Sequence, residues 1–495
     1  MTTFVPPLTV ADLDDGPAIA ELHRLHALQR KAFLANPYPG ADARKGNLMA
    51  LAAMVMGHRD EIRAAMSSDF GAHPELFTDL VEILGIAGRA ASAIEALDGW
   101  MAEDERRPDP AFYGTARAGI RCQPKGVIGN IVPWNFPFDL SLGPLVEMLA
   151  AGNRVVIKPS DYTPACAELL QRMLSDTFAE DLVAVSIGGL TLAKEFPTLR
   201  WDHLLYTGSP AIGREVARAA AENLVPVTLE LGGKCPAILT AGSVDAASVR
   251  NIVGTKLIKN GQMCISVDYA LVPRAHLADF VTHAEHYLNE ELPGYARSAD
   301  CTGIITQRHL DRITAMIQEA KTSGAQVVEL GGEGDAASRR LPLVLVVDPP
   351  KDLRIMQEEI FGPILPVVPY DDLDETLAEL NAGERPLGLY VYSKDAKVAE
   401  HVLQQTTSGG ACVNVCAVQG ALPSLGFGGV GQSGNGRHHG IEGFREFSNP
   451  RGVVVRGTGD LADAFLPPYG PATQAIVDSV FSGEATAQAA APGSV

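Results

Sequence analysis

The sequence predicts an α/β protein built on doubly wound, mostly parallel sheets, and three observations carry that prediction. Short apolar runs alternate with helical patterns from residue 126 to about residue 410, the rhythm of parallel strands joined by crossover helices. The chain has 495 residues, too many for one ordinary core, so two or three domains are expected. Its composition, 46% hydrophobic and 20% charged, is that of a soluble globular protein.

Residues 18–66 and 75–103 carry apolar residues at helical spacing, Leu76, Leu80, Ile83 and Leu84 among them, which predicts helices with one face on a core. Arg106-Arg107-Pro108-Asp109-Pro110 breaks the pattern, and residues 112–123 read as two short strands around Gly114 or Gly119. A first set of strands is expected at 126–132, 154–158, 182–186, 203–206 and 225–231. A second set includes 235–239, 269–272, 326–330, 341–347 and 388–391. The glycine-rich 425–440 reads as loop, and no repeat of solenoid type is present. Beyond Arg456 the pattern is lost; 483–495 is rich in Ala, Ser, Gly and Pro and is expected to be disordered.

A net charge of −19 speaks against a nucleic-acid or anionic-membrane surface, since either needs basic patches. The N-terminus lacks the basic start and apolar run of a signal peptide. No apolar stretch reaches the roughly eighteen residues of a membrane span. The seven cysteines are scattered. Cys412 and Cys416 lie four apart in what reads as a strand, on one face, without further ligands for zinc. Buried thiols are the better reading, and no metal is expected. Reduced thiols and the lack of an export signal predict a cytoplasmic protein.

Four clusters carry chemistry. Cys264, in Asn260-Gly261-Gln262-Met263-Cys264, follows Glu230-Leu231-Gly232-Gly233-Lys234 by 34 residues, pairing a thiol nucleophile with a carboxylate base among small residues. Pro133-Trp134-Asn135-Phe136-Pro137 lies upstream, and Glu358-Glu359-Ile360-Phe361-Gly362-Pro363 downstream. Lys158-Pro159-Ser160-Asp161 ends a strand, where α/β sheets bind ligands. Tyr206-Thr207-Gly208-Ser209-Pro210-Ala211-Ile212-Gly213 runs from a strand into a helix, with Ser209 as N-cap and Pro210 at the first helical position. Such a helix start suits a pyrophosphate, although its Gly-x4-Gly spacing is equally that of a plain capped helix. His438-His439 reads as structural.

Taken together and in this order, these motifs resemble the aldehyde dehydrogenase superfamily over roughly residues 20 to 455. The resemblance implies an NAD(P)-dependent oxidation of an aldehyde to its acid. Cys264 would be the nucleophile, Glu230 the general base, and the Asn135 amide with the Cys264 N–H the oxyanion hole. Lys158 and Asp161 would contact the adenine-side ribose, Gly208, Ser209 and Gly213 the pyrophosphate, and Glu359 and Phe361 the nicotinamide end. Trp134 would lie beside the cofactor, line the substrate channel or pack in the core. The family commonly has Glu where Asp161 stands, so NAD is expected with NADP tolerated.

Within the superfamily the chain looks most like the class 3, fatty-aldehyde and coniferyl-aldehyde branch, on residues 261–269, Phe427 to Gly436 with His439-Gly440, and Leu466-Pro467-Pro468-Tyr469-Gly470. The implied architecture has a Rossmann-like cofactor domain (1–104 and 126–232), an α/β catalytic domain (233–426), a small β bridging arm (105–125 and 427–455) and a tail (456–495). The substrate would be a coniferyl-type aromatic or a medium- to long-chain aldehyde. A homodimer without a membrane anchor is expected, with a tetramer compatible. Two rival functions stand beside this one: a coenzyme-A-acylating relative, which the retained Glu230 argues against, and a non-catalytic scaffold, which has no need of Cys264, Glu230, Asn135 and Lys158 together.

Overall fold

The computed structural model of the protein describes residues 15–482. The chain forms two compact units, one holding the chain up to Trp100 and Pro124–Ser448, the other Met101–Gln123 and the chain from Asn449 onward.

The larger unit is built on two sheets. A six-stranded sheet runs in the order Gly434–Asn435, Val227–Leu231, His203–Gly208, Val127–Ile131, Arg154–Lys158, Val183–Val185. All its pairs are parallel except the short edge strand Gly434–Asn435. Its central strands are near-continuous apolar runs because helices cover both faces, and Val127, Val156, Leu204, Trp201 and Phe196 share one core with Leu22 of the first helix. A seven-stranded sheet runs Gln326–Leu330, Leu343–Val347, Ile364–Tyr370, Tyr269–Pro273, Pro236–Leu239, Gly388–Tyr392, Gly410–Val413. It is parallel apart from the edge strand Gln326–Leu330. The predicted α/β class with parallel sheets is therefore what the chain adopts.

Several local expectations need correction. Residues 75–85 are helical, but Leu76, Leu80 and Leu84 are exposed (73, 62 and 49%), and the buried face is Thr78, Asp79, Glu82 and Ile83. The reason is electrostatic: Asp79 binds Arg59 and Arg63, and Glu82 binds Lys259, so this helix, wound as a π-helix over Thr78–Gly85, turns its acids inward. The strand Ile364–Tyr370 is hidden in the sequence by Pro366 and Pro369, residues that usually mark an edge or a loop. The strand holding Cys412 stops at Val413, because Asn414 turns with φ 60°. Cys416 therefore lies off the strand, its Sγ 3.0 Å from the Tyr392 hydroxyl.

The stretch 425–440 is more than loop: Phe427 and His438 form a bridge and Gly434–Asn435 a strand. The expected arm segment 427–455 divides, with everything through Ser448 in the larger unit. In the smaller unit, residues 112–123 give not two strands but the end of a helical turn, Pro110–Tyr113, and one strand, Arg117–Pro124. That strand is the middle of a three-stranded sheet, between Asp104–Arg106 and Ser448–Val455. The tail regains a helix at Pro471–Phe481; the disorder expected for 483–495 lies outside the described residues. Among the described residues no helix is long and apolar enough to cross a membrane.

Candidate active site

Cys264 ends a seven-residue arch, residues 258–264, that follows the helix Ala246–Leu257. Lys259, Asn260 and Gly261 all have left-handed φ, 49, 53 and 81°. Gly261 is obligatory, because a Cβ there would sit 2.2 Å from the Gly362 carbonyl oxygen. Gln262 pins the arch: its Nε2 donates to the carbonyls of Lys259 (2.9 Å) and Gly303 (3.0 Å), and its Oε1 accepts from the Ile305 N–H (3.0 Å). The Cys264 thiol is half-buried. Burial pushes it up to about 12, with Glu359 and Glu230 adding to the rise and the N–H groups of Cys264 and Ile265 opposing it. A thiol in that state reacts only when a base takes its proton.

Glu230 is the expected base, and its charge reaches that thiol. It sits near the end of the strand Val227–Leu231, paired with Gly434 on one side and Thr207 on the other. The residue is 2% exposed, and among the described residues neither carboxylate oxygen has a hydrogen-bond partner. Burial lifts its pKa well above the carboxylate range; Arg437 opposes the rise and Glu446 adds to it. A Cβ at Gly428 would lie 2.8 Å from its Oε1, so the glycine-rich 425–440 stretch serves to let the backbone close over this acid. An unpartnered buried carboxylate of high pKa is the state a general base requires before substrate and water arrive.

Asn135 follows the strand Val127–Ile131 and precedes the helix Asp139–Ala150. It is 3% exposed. Its Nδ2 donates to the Gln262 carbonyl at 3.3 Å, which spends one of its two protons and leaves the other. The fold thus ties the Asn135 amide to the residue two before Cys264.

Of the residues expected on the cofactor side, Lys158 and Gly208 end strands. Lys158 closes its strand almost fully buried; its Nζ donates to the Pro159 carbonyl (3.0 Å), and burial lowers its pKa against the pull of Asp161 and Asp15. Asp161 itself is exposed. Ser209 caps the helix Pro210–Ala221, its hydroxyl accepting the Ile212 N–H at 3.4 Å. Gly208 and Gly213 are also needed for packing, since a Cβ would reach within 2.3 Å of the Tyr206 hydroxyl and 2.7 Å of Leu231. Glu359 lies over Gly232, where a Cβ would sit 2.0 Å from its Oε2. Burial, then Asp268, raises Glu359 to about 8. Trp134 and Phe361 meet edge to face at 5.4 Å, and the array continues through His309 (5.3 Å) to Tyr162 (5.7 Å from His309).

Several contributors gave no sequence signal. Asp15, Glu82, His309 and Arg437 reach the site only through tertiary contacts, and Lys259, in the arch itself, acts through its distant partner Glu82. His438 and His439 are fully buried and stacked edge to face at 4.4 Å. Burial holds both well below the usual histidine range, in keeping with a structural part. Among the described residues no cluster of metal-ligating side chains occurs.

Residues 26–453 match the aldehyde dehydrogenase family. A probable coniferyl aldehyde dehydrogenase of Pseudomonas aeruginosa is 41% identical over 94% of this chain and 97% of its own. The coniferyl aldehyde dehydrogenase of a Pseudomonas species is 35% identical over 96% and 100%. Among solved structures, substrate-bound AldH of Staphylococcus aureus superposes with a TM-score of 0.87 at 31% identity, covering 93% of this chain and 99% of that one. A Mycobacterium tuberculosis aldehyde dehydrogenase complexed with NAD+ gives 0.79 at 28%, covering 89% and 90%. With the family match running over residues 26–453 and these relatives 35 and 41% identical over nearly their whole length, the chain belongs to the aldehyde dehydrogenase family.

Proposed function

We propose that the protein oxidises coniferyl-type aromatic aldehydes to their acids with NAD, using Cys264, Glu230 and Asn135. The observation that carries this reading is the state of Glu230: buried, unpartnered at both oxygens, and close enough to Cys264 for its charge to raise the thiol.

The residues fit a nicotinamide dinucleotide. Lys158 and Asp161 stand at one strand end, the capped helix start at Ser209 offers N–H groups, and Glu359 with Phe361 and Trp134 would hold the nicotinamide end. When bound, the cofactor takes up the hydrogen and electron pair that the aldehyde carbon loses.

The chain's own residues do the rest. Cys264 gives its proton to Glu230, and its sulfur forms the S–C bond as the carbonyl electrons move onto oxygen. Asn135 Nδ2 and the Cys264 N–H donate to that oxygen. After oxidation the carbon is held as a thioester on Cys264. Glu230, which has by then released the thiol's proton to solvent, takes a proton from water as the water oxygen bonds the carbon; the S–C bond breaks with its electron pair on sulfur, Glu230 returns the proton to that sulfur, and the acid leaves. A base in that position favours water over coenzyme A as the acceptor.

The aromatic preference rests on the coniferyl aldehyde dehydrogenases among the relatives. Initial rates of NADH formation with coniferaldehyde, benzaldehyde and decanal test it. Coniferaldehyde is expected to give the highest kcat/KM; a preference for decanal would move the enzyme to long-chain aldehydes. The same reading makes the protein a cytoplasmic homodimer, which light scattering distinguishes from a tetramer.

A further inference from the structure

The position five residues before Cys264 holds a side chain that the reaction does not use. Lys259 is 0% exposed, and so is its partner Glu82, whose Oε1 lies 2.9 Å from the Lys259 Nζ. A fully buried ion pair brings little net stability over apolar residues of the same size. Lys259 also has φ 49°, a conformation that costs free energy for any residue with a Cβ. Glycine would relieve that strain, so the position needs the lysine side chain for something else.

Its contacts show what that is. The Lys259 Nζ donates a second bond to the main-chain carbonyl of Asn135 and stands 4.0 Å from the centre of the Phe136 ring. Glu82 acts on the same loop from the other end: its Oε2 accepts the N–H groups of Phe138 (3.1 Å) and Asp139 (2.7 Å) at the start of the helix Asp139–Ala150. Asn135 is therefore gripped twice by one arch, at its carbonyl by Lys259 and at its Nδ2 by the Gln262 carbonyl, 3.3 Å away. The π-helix that carries Glu82 leaves two leucines, Leu80 and Leu84, in solvent so that its acids can face inward, and such windings recur at functional sites.

We propose that the buried Lys259–Glu82 pair is a positioning element that fixes the Asn135 amide against the Cys264 arch, setting the oxyanion hole. The inference rests on the aldehyde-oxidising reading of Cys264 and Asn135, and it adds two residues that touch neither substrate nor cofactor. Their effect is on geometry: an amide displaced by about 1 Å loses on the order of a hundredfold in rate.

The test uses the full-length enzyme with NAD and benzaldehyde. In Lys259→Met/Glu82→Gln the buried charges vanish together, while residue 82 keeps an acceptor for the Phe138 and Asp139 N–H groups. The variant is expected to fold, to bind NAD with unchanged Kd by fluorescence quenching, and to lose kcat by about a hundredfold with KM little altered. Placed on top of Asn135→Ala, the same pair of substitutions should lower kcat no further, because it acts through Asn135. Wild-type kcat in the folded double variant would overturn the proposal, and so would losses that multiply with Asn135→Ala, which would mean a general structural role. Glu82→Gln alone is a further check: it keeps one acceptor oxygen for the Phe138 and Asp139 N–H groups but removes the carboxylate oxygen that accepts from the Lys259 Nζ, and about a tenfold, likewise non-additive loss is expected; an unchanged kcat would count against the pair. Failure of the underlying reading looks different, as turnover that survives Cys264→Ala.

Discussion

The two ends of the candidate site are built on opposite principles. At the cofactor end, Lys158, Asp161 and Ser209 sit where strands stop and a helix begins, with local partners: the neighbouring Pro159 carbonyl for Lys158, the Ile212 N–H for Ser209. At the nucleophile end the deciding partners are distant in sequence. Glu230 is buried with both oxygens unpartnered, Cys264 is pushed up to about 12, and the arch between them and Asn135 runs through consecutive left-handed residues. A binding surface can be assembled from the ordinary ends of secondary structure. A reactive centre has to hold groups in states that water or a nearer partner would abolish, so it draws on burial and long-range contacts.

The comparison breaks most sharply at the sulfur. Cys264→Ala should abolish dehydrogenase turnover and leave NAD affinity intact, since the hydrogen bonds of Lys158 and Ser209 involve the Pro159 carbonyl and the Ile212 N–H and not the thiol. Stopped-flow NADH formation checks the first part and fluorescence titration the second. Turnover above background in that variant would sink the covalent route, and a lost NAD affinity would show that the two ends are not separable.

Glu230→Gln comes next, with a loss of about a hundred- to ten-thousandfold expected for a general base. Its pH signature sharpens the contrast. Burial raises the Glu230 pKa, with Glu446 adding and Arg437 opposing. The base must be ionised to accept a proton, so wild-type kcat should fall as pH drops through that raised value, well above where an ordinary carboxylate titrates. In Glu230→Gln this acidic limb should be gone. A limb that survives the substitution would assign it to another group, and Glu359, raised to about 8, is the candidate.

The same division governs how much could be read in advance. The strands Arg154–Lys158 and Gln326–Leu330 fall where the apolar runs place them, and the Ser209-Pro210 helix start is plain in the sequence, because capping and hydrophobic rhythm are local rules. Cys264, Glu230 and Asn135 were legible as motifs, but what makes them work was not. Lys259 reads as one more lysine; its partner Glu82 lies 177 positions away in a helix whose leucine spacing points the wrong face inward. Arg437, which faces Glu230, lies in a stretch that reads as loop. The strand Ile364–Tyr370 was masked by its own prolines. In each case a tertiary partner decided the outcome, and periodicity cannot announce a partner.

The smallest effect belongs to the most exposed residue, Asp161. It stands three residues past Lys158 on the solvent side of the strand end, in the position proposed to face the adenine ribose. There its charge would accept from the 2′-hydroxyl of NAD and repel the 2′-phosphate of NADP. Water screens both effects, so a substitution should move binding by a factor of about five and no more. Asp161→Ala is expected to raise the KM for NAD and lower that for NADP, leaving kcat with either nearly unchanged. Asp161→Glu should push the ratio the other way, because the longer acid fills the room that the extra phosphate needs. The KM ratio of Asp161→Ala should shrink toward one at high salt, whereas the steric effect of Asp161→Glu and the losses in Cys264→Ala and Glu230→Gln should not respond. A large change in kcat from Asp161→Ala would mean that this acid is coupled to the reacting atoms, and the line drawn here between a local binding end and a buried reactive end would have to move.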